Sequence, residues 1–105
     1  MQEITDEALL KKHLKTKGSI LFFYTPFCQT CKIAERMLHI VTEAKEMEAT
    51  VFTCNLNYFP WVSEALGIQS VPALTVIGGN DDDRTLFAFE SVIKVDDFLN
   101  SSKFF

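Results

Sequence analysis

The strongest constraint on the fold of this chain is a short segment, residues 20–24 (ILFFY), that is apolar or aromatic at every position. The break TPF follows it, and a helical pattern begins after the break. A strand of this kind must be covered on both faces, which is typical of the centre of a parallel or mixed sheet. From Cys28 to about Glu46 the apolar residues recur with the helical period, which predicts an amphipathic helix. The residues expected on its apolar face are Ile33, Ala34, Met37, Leu38, Val41 and Ala44.

The rest of the chain alternates between the same two periods. Extended patterns lie near Ile4 and at 50–56, 73–77 and 85–89, and helical patterns lie at 5–18, 57–66 and 94–102. The predicted order is βαβαβαββα, an α/β fold with a mixed central sheet of about four or five strands and helices on both faces. We expect one domain over residues 1–105. Thr5 is the expected N-cap of the first helix and Gly18 its end.

Charge and hydropathy argue against several classes of function. The net charge is −4, with acids and bases scattered along the chain, so no basic surface for nucleic acid or anionic lipid is expected. No apolar run approaches the roughly 20 residues of a membrane-spanning helix. The N-terminal MQEITDEALL lacks the apolar stretch of a signal peptide. We therefore expect a cytoplasmic protein that binds neither nucleic acid nor membrane. We also expect a monomer.

Cys28 and Cys31 lie where the apolar strand gives way to the helix. Their spacing places both sulfurs within one helical turn, close enough to form a disulfide. Cys28 falls at the predicted N-cap, where free backbone N–H groups and the positive end of the helix stabilise a thiolate. Because the thiolate is the attacking species in disulfide exchange, Cys28 is the predicted nucleophile and the more buried Cys31 the resolving thiol.

A Cys-x-x-Cys pair is also half of a possible zinc site, which needs two further ligands. The sequence has no second pair of this kind, and His39 lies about 12 Å along the helix beyond Cys31. His13 and Cys54 are isolated in the sequence. We therefore predict no metal within one chain, with a metal-bridged dimer as an alternative. Disulfide exchange by the two cysteines needs no bound cofactor, and none is expected. Cys54 lies in an apolar strand and is expected to be an inert core residue.

Two stretches of the sequence resemble the thioredoxin family: FFYTPFCQTCK at residues 22–32 and LGIQSVPALTVIGG at residues 66–79. The resemblance implies a thioredoxin-like fold and a thiol–disulfide oxidoreductase that reduces protein disulfides through Cys28 and Cys31. It also implies an electron donor of the thioredoxin-reductase type. In the family, the proline that matches Pro72 follows a cis peptide bond beside the sulfurs, and the backbone at Val71 pairs with an extended substrate segment.

Some positions differ from the usual family pattern in ways that affect the chemistry. Gln29 and Thr30 replace the common Gly-Pro between the cysteines, and Thr30 restores a backbone N–H that proline lacks. We therefore expect a lower Cys28 pKa and a more oxidising potential than a Gly-Pro variant of this chain would have. Phe27 replaces the usual tryptophan and keeps an apolar surface for partner docking.

The buried charges of the family are also replaced. Its buried acid matches Phe22 and its lysine partner matches Thr53, so both charges are lost together. That acid helps to deprotonate the resolving cysteine in the family. Here water or the departing thiolate would have to take the proton, which predicts slow resolution of mixed disulfides near neutral pH.

Two other functions remain as alternatives. YTPFC and the Gly-Gly pair at residues 78–79 resemble glutaredoxins, which use glutathione. The full N-terminal β-α unit argues against that family. The second alternative is a binding or scaffold module, including a metal-bridged dimer, that uses the fold without turnover.

Overall fold

The computed structural model describes residues 1–79 and 82–102. Within these residues the chain forms five strands: β1 (Gln2–Glu3), β2 (Ile20–Tyr24), β3 (Val51–Asn55), β4 (Ala73–Val76) and β5 (Arg84–Leu86). It also forms four α-helices, α1 (Glu7–Leu14), α2 (Gln29–Ala44), α3 (Trp61–Leu66) and α4 (Val92–Ser101), and a 3₁₀ turn at Glu48–Thr50 before β3. The predicted order of elements and the α/β class are confirmed.

The described strands form one mixed sheet in the order β1-β3-β2-β4-β5. β1, β3 and β2 are parallel, whereas β4 is antiparallel to β2 and β5 is antiparallel to β4. β2 therefore has a hydrogen-bonded neighbour on each side, with Phe22 opposite Thr53 on one side and Leu74 on the other. This central position explains why the strand is apolar at every residue.

Each face of the sheet has its own apolar core, because successive side chains of β2 point to opposite faces. Ile20 and Phe22 pack with residues of α2 and α4, whereas Leu21 and Phe23 pack with residues of α1 and α3. Cys54 is fully buried in the second core, as predicted, and burial raises the pKa of its thiol to about 12. A thiol that keeps its proton in this way is a poor nucleophile.

The ends of two helices differ from the sequence-based expectation. Asp6, and not Thr5, is the N-cap of α1, because its carboxylate accepts a hydrogen bond from the N–H of Ala8. α1 ends at Leu14 and not at Gly18, whose φ is 91° and whose N–H donates to the carbonyl of Ile77 in the turn that leads into β2. The last helix begins two residues earlier than predicted, because the Ser91 hydroxyl accepts the N–H of Lys94.

Two residues that were predicted on the apolar face of α2 are exposed, namely Ile33 and Ala44. Each residue of a helix is rotated by about 100° from the previous one, so Ile33 lies beside buried Ala34 at the edge of the packed face. Ala44 is the last residue of the helix, beyond the part that packs on the sheet. The sequence also predicts a turn at Asn80, an acidic run that includes Asp81, and packing or fraying of Phe104 and Phe105. These four residues lie outside the described residues.

No helix in the described part of the chain is both long and apolar enough to cross a membrane.

His13 is better packed than its sequence position suggests, since the pattern of α1 predicts a solvated side chain. Its ring lies 4.1 Å from the ring of Phe52, between centroids, and its Nδ1 lies 3.2 Å from the hydroxyl of Ser19. Burial lowers the pKa of His13 from its ordinary value of 6.5, and the charge of Lys12 lowers it further. The folded protein therefore opposes protonation of this ring.

This environment predicts a pH dependence of stability. The unfolded chain binds a proton at His13 more readily than the folded protein does. The contribution of neutral His13 to the free energy of unfolding is therefore complete above pH 6.5 and is lost as the pH falls below that value. We expect His13→Gln to lose less free energy of unfolding than the parent when the pH is lowered from about 8 to about 5. Urea titrations at each pH measure this difference, and equal losses in the two proteins would contradict it.

Candidate active site

Cys28 and Cys31 lie at the carboxyl end of β2, where the chain enters α2. Cys28 is the N-cap of this helix with an extended backbone, and Cys31 lies in its first turn. A disulfide joins the two residues, whose Cα atoms are 5.2 Å apart. Cys28 is half-buried, whereas Cys31 is only 3% exposed. An incoming partner can therefore reach the sulfur of Cys28 but not that of Cys31.

Two donors face the Sγ atom of Cys28. The backbone N–H of Cys31 donates to it over 3.1 Å, and the Thr30 hydroxyl lies 3.2 Å from it. Because a sulfur in a disulfide carries no proton, the hydroxyl is the donor of the second bond. In the reduced protein both donors would stabilise a thiolate, together with the positive end of α2. The sequence-based expectation assigned the extra donor to the Thr30 backbone, whereas the structure places the Thr30 side chain in that position.

Val71 and Pro72 reach the same region from the start of β4. The peptide bond between them is cis. Pro72 and Thr30 line one groove, so the second stretch of family-like sequence lies beside the head of α2. The structure thus brings together residues that are far apart in the chain.

The groove has a volume of about 400 Å³ and mostly apolar walls. One wall is formed by α2 through Ile33 and Met37, and the other by Phe87 and Phe89 after β5. Ile33 is 47% exposed and Phe87 is 38% exposed, which is unusual for side chains of this size. Neither residue was predicted to belong to the site. Ile33 has a helical pattern and Phe87 an extended one, and neither pattern indicates a shared groove.

Phe27 is the most exposed large apolar residue of the described chain, at 96%. It precedes Cys28 directly and packs on almost nothing, so its position provides no packing energy within the fold. An exposed aromatic ring next to a reactive sulfur is typical of a contact surface for another protein.

Behind the sulfurs, the positions that hold charges in the family are uncharged. Phe22 is fully buried in the core, and the Thr53 hydroxyl donates a 2.7 Å hydrogen bond to Glu3. The Tyr24 hydroxyl donates to the same carboxylate over 2.7 Å. Burial, the hydrogen bond to Glu3 and nearby negative charge raise the pKa of Tyr24, so its phenol keeps its proton. The slow resolution expected from the sequence stays a prediction.

The remaining candidate ligands do not gather around the cysteines. His39 pairs with Glu48 near the far end of α2, and Cys54 belongs to the core on the opposite face of the sheet. Among the residues that the structure describes, no group of three or more His, Cys, Asp or Glu side chains could hold a metal ion.

Comparison with known sequences gives a consistent result. The family model described as Thioredoxin matches residues 1–100. The thioredoxin-like protein YusE of Bacillus subtilis (strain 168) is 34% identical over 92 residues, which cover 88% of this chain and 84% of that protein. The thioredoxin of Buchnera aphidicola subsp. Baizongia pistaciae (strain Bp) is 26% identical over 99 residues, which cover 93% of this chain and 91% of that protein.

Solved structures show the same fold. The crystal structure of chloroplastic thioredoxin z is similar to this chain with a TM-score of 0.72 at 20% identity, over 98% of this chain and 94% of that chain. Mitochondrial thioredoxin 3 from Saccharomyces cerevisiae, in its oxidised form, also has a TM-score of 0.72, at 14% identity, over 95% of this chain and 93% of that chain. At these identities the likeness shows the fold alone.

The contact between Thr30 and Cys28 leads to a test of the thiolate environment. Thr30→Val keeps the backbone N–H and the side-chain shape but removes the hydroxyl donor, so we expect the Cys28 pKa to rise by about one pH unit or less. Thr30→Pro lacks the hydroxyl and the N–H and should raise this pKa at least as much. Ultraviolet thiolate absorbance across a pH titration measures both variants. A pKa equal to or below that of the parent would contradict the assignment.

Proposed function

Since this chain belongs to the thioredoxin family, we propose that it works as a reductase of disulfides in other proteins. The Cys28–Cys31 pair makes it a thiol–disulfide oxidoreductase. The observation that carries the proposal is the asymmetry of the pair, since the accessible sulfur receives two hydrogen bonds at a helix N-terminus while the other sulfur is buried behind it.

The proposed reaction has two exchange steps. The Cys28 thiolate attacks one sulfur of the substrate disulfide, the S–S bond of the substrate breaks, and its other sulfur leaves as a thiolate. Cys31 then loses its proton and attacks Cys28 in the resulting mixed disulfide. The substrate departs with both sulfurs reduced, and the Cys28–Cys31 disulfide remains. Two electrons have moved from the protein to its substrate.

Docking of the substrate is proposed to use the surface around Cys28. The backbone at Val71 is half-buried beside the cis bond to Pro72 and would pair with an extended segment of the partner. Phe27 would contact the partner on the exposed side of Cys28. The apolar groove lined by Ile33 and Phe87 would take a neighbouring part of the same segment.

The oxidised protein must be reduced again before a second turnover. We propose a thioredoxin-reductase-type protein as the electron donor and a monomeric state. We propose a cytoplasmic location because a disulfide reductase works where cellular thiols are kept reduced. The reaction as written needs no bound cofactor in this chain.

An insulin-reduction assay with a thioredoxin-reductase system tests the proposal. We expect turnover by the parent and complete loss in Cys28→Ser, because the attacking thiolate is gone. Cys31→Ser should stop at a stable mixed disulfide, visible as an increase in mass. Cys54→Ala is the matched control and should keep the parent rate, since its thiol is buried on the other face of the sheet.

The same assay separates the alternatives. Turnover that depends on glutathione and not on thioredoxin reductase would favour a glutaredoxin-like activity. A parent protein that binds partners but reduces nothing, with metal in its dimer, would favour a binding module. Either result would overturn the proposal.

The exposed ring of Phe27 leads to a further prediction. Phe27→Ala removes contact area with the partner but no packing within the fold, so we expect KM for insulin to rise about fivefold without loss of stability. Ile93→Ala, which truncates another exposed apolar residue on α4, is the matched control and should leave KM unchanged. Equal effects of the two variants, or an unchanged KM in Phe27→Ala, would exclude a docking role for Phe27.

A further inference from the structure

Glu90 has an unusual backbone for its residue type and lies at the edge of the groove beside the active site. Its φ is 59°, in the left-handed region that glycine adopts freely and other residues rarely adopt. The N–H of Ser91 donates to the carbonyl of Phe89 and closes a tight turn around it. Outliers of this kind persist where the surroundings hold them, and they cluster at functional sites.

The turn holds Glu90 firmly in this place. On one side, Phe89 is buried in the core and its ring lies 5.9 Å from the ring of Phe22, between centroids. On the other side, Ser91 is the N-cap of α4. Two anchored neighbours therefore determine where the Glu90 carboxylate emerges, although the residue itself is exposed.

The carboxylate is the only ionised group among the residues that line the groove in the described part of the chain. The other lining residues are uncharged: Thr30, Ile33, Ala34, Met37, Pro72, Phe87 and Phe89. A carboxylate beside an apolar surface favours a cation over an anion, and the negative net charge of the protein acts in the same direction.

Lys94, in the first turn of α4, already pairs with Glu90, and both side chains are substantially exposed. An exposed pair of this kind contributes little and is held loosely. A carboxylate can accept hydrogen bonds from more than one cation, so the pair leaves room for a basic side chain from the groove side.

We propose that Glu90 is a specificity-determining residue that favours protein disulfides whose cysteine is flanked by a lysine or arginine. The inference rests on the proposed disulfide-reductase function and adds a substrate class to it. The partner segment lies along the groove between Pro72 and Phe87, with its disulfide at Cys28. Its basic side chain pairs with the Glu90 carboxylate, while an acidic side chain at the same place is repelled.

Three disulfide-linked peptides that differ only in the residue beside the cysteine test this assignment. That residue is Lys in the first, Gln in the second and Glu in the third. We expect kcat/KM of the parent to fall in this order, by about threefold to fivefold between the first and the last, as for an exposed ion pair. Glu90→Gln should remove the preference for the lysine peptide, because the carboxylate is gone and Lys94 is left unpaired, and Glu90→Lys should reverse the order.

Glu43→Gln is the matched control, because it removes the same charge from an exposed position near the far end of α2. It should retain the order seen with the parent. Loss of the order in Glu43→Gln would assign the preference to net charge and overturn the proposal for Glu90. Equal kcat/KM values of the parent for all three peptides would also overturn it.

The result is separable from the proposed function. A parent protein that reduces all three peptides at one rate is still a disulfide reductase without this preference. A parent protein that reduces none of them, nor insulin, fails as a reductase. Circular dichroism of each variant establishes that it is folded before its kinetics are compared.

Discussion

The structure depends on the burial of β2 between two neighbouring strands and two layers of helices. Its backbone pairs with β3 and β4, and the side chains of residues 20–23 are completely buried. No other strand in the described chain contributes to both cores over as many residues. The end of β2 is therefore a rigid point, and α2 begins from it after a short connection. Cys28, at the junction of β2 and α2, is therefore held in a defined position, as a reactive group requires.

The chemistry of the site follows from unequal burial of two identical side chains. One sulfur lies at the N-cap, faces two hydrogen-bond donors and can be reached from outside. The other lies one turn into the helix and is covered. Such an arrangement separates attack on a partner from release of that partner, because the second thiol acts only after the first has formed its bond. Cys54 illustrates the contrast, since the same functional group in an apolar core has a raised pKa and no access to a partner.

The groove beside the pair combines apolar exposure with a carboxylate at its edge. Phe27, Ile33 and Phe87 leave large apolar areas in contact with solvent close to Cys28 or Pro72. Glu90 adds a carboxylate in a backbone conformation that costs about 1–2 kcal/mol for a residue other than glycine. The exposed side chains add no stability to the isolated protein, and contact with a partner would bury them. They fit a site that recognises polypeptide and not a small enclosed ligand.

The features that depend on neighbours along the chain could be predicted from the amino-acid pattern. The order of strands and helices followed from hydrophobic periodicity, and the N-cap position of Cys28 followed from the change of period after β2. The errors at Thr5 and Gly18 are small because several residues near a helix end compete to cap it, and only hydrogen bonding decides among them. His13 is half-buried and so less solvated than expected, because Phe52 and Ser19, which contact it, come from other parts of the fold.

The set of side chains that share the site could not be predicted in this way, because it depends on contacts between distant segments. Three strands, β3, β4 and β5, lie between Ile33 and Phe87 in the sequence. Neither the helical pattern around Ile33 nor the extended pattern around Phe87 shows that the two side chains face one groove. Likewise, the left-handed backbone of Glu90 arises because a buried residue and a helix cap anchor its two sides. Local patterns encode periodicity over a few residues, whereas a groove is a contact between distant segments, and its shape is set by how the helices pack on the sheet.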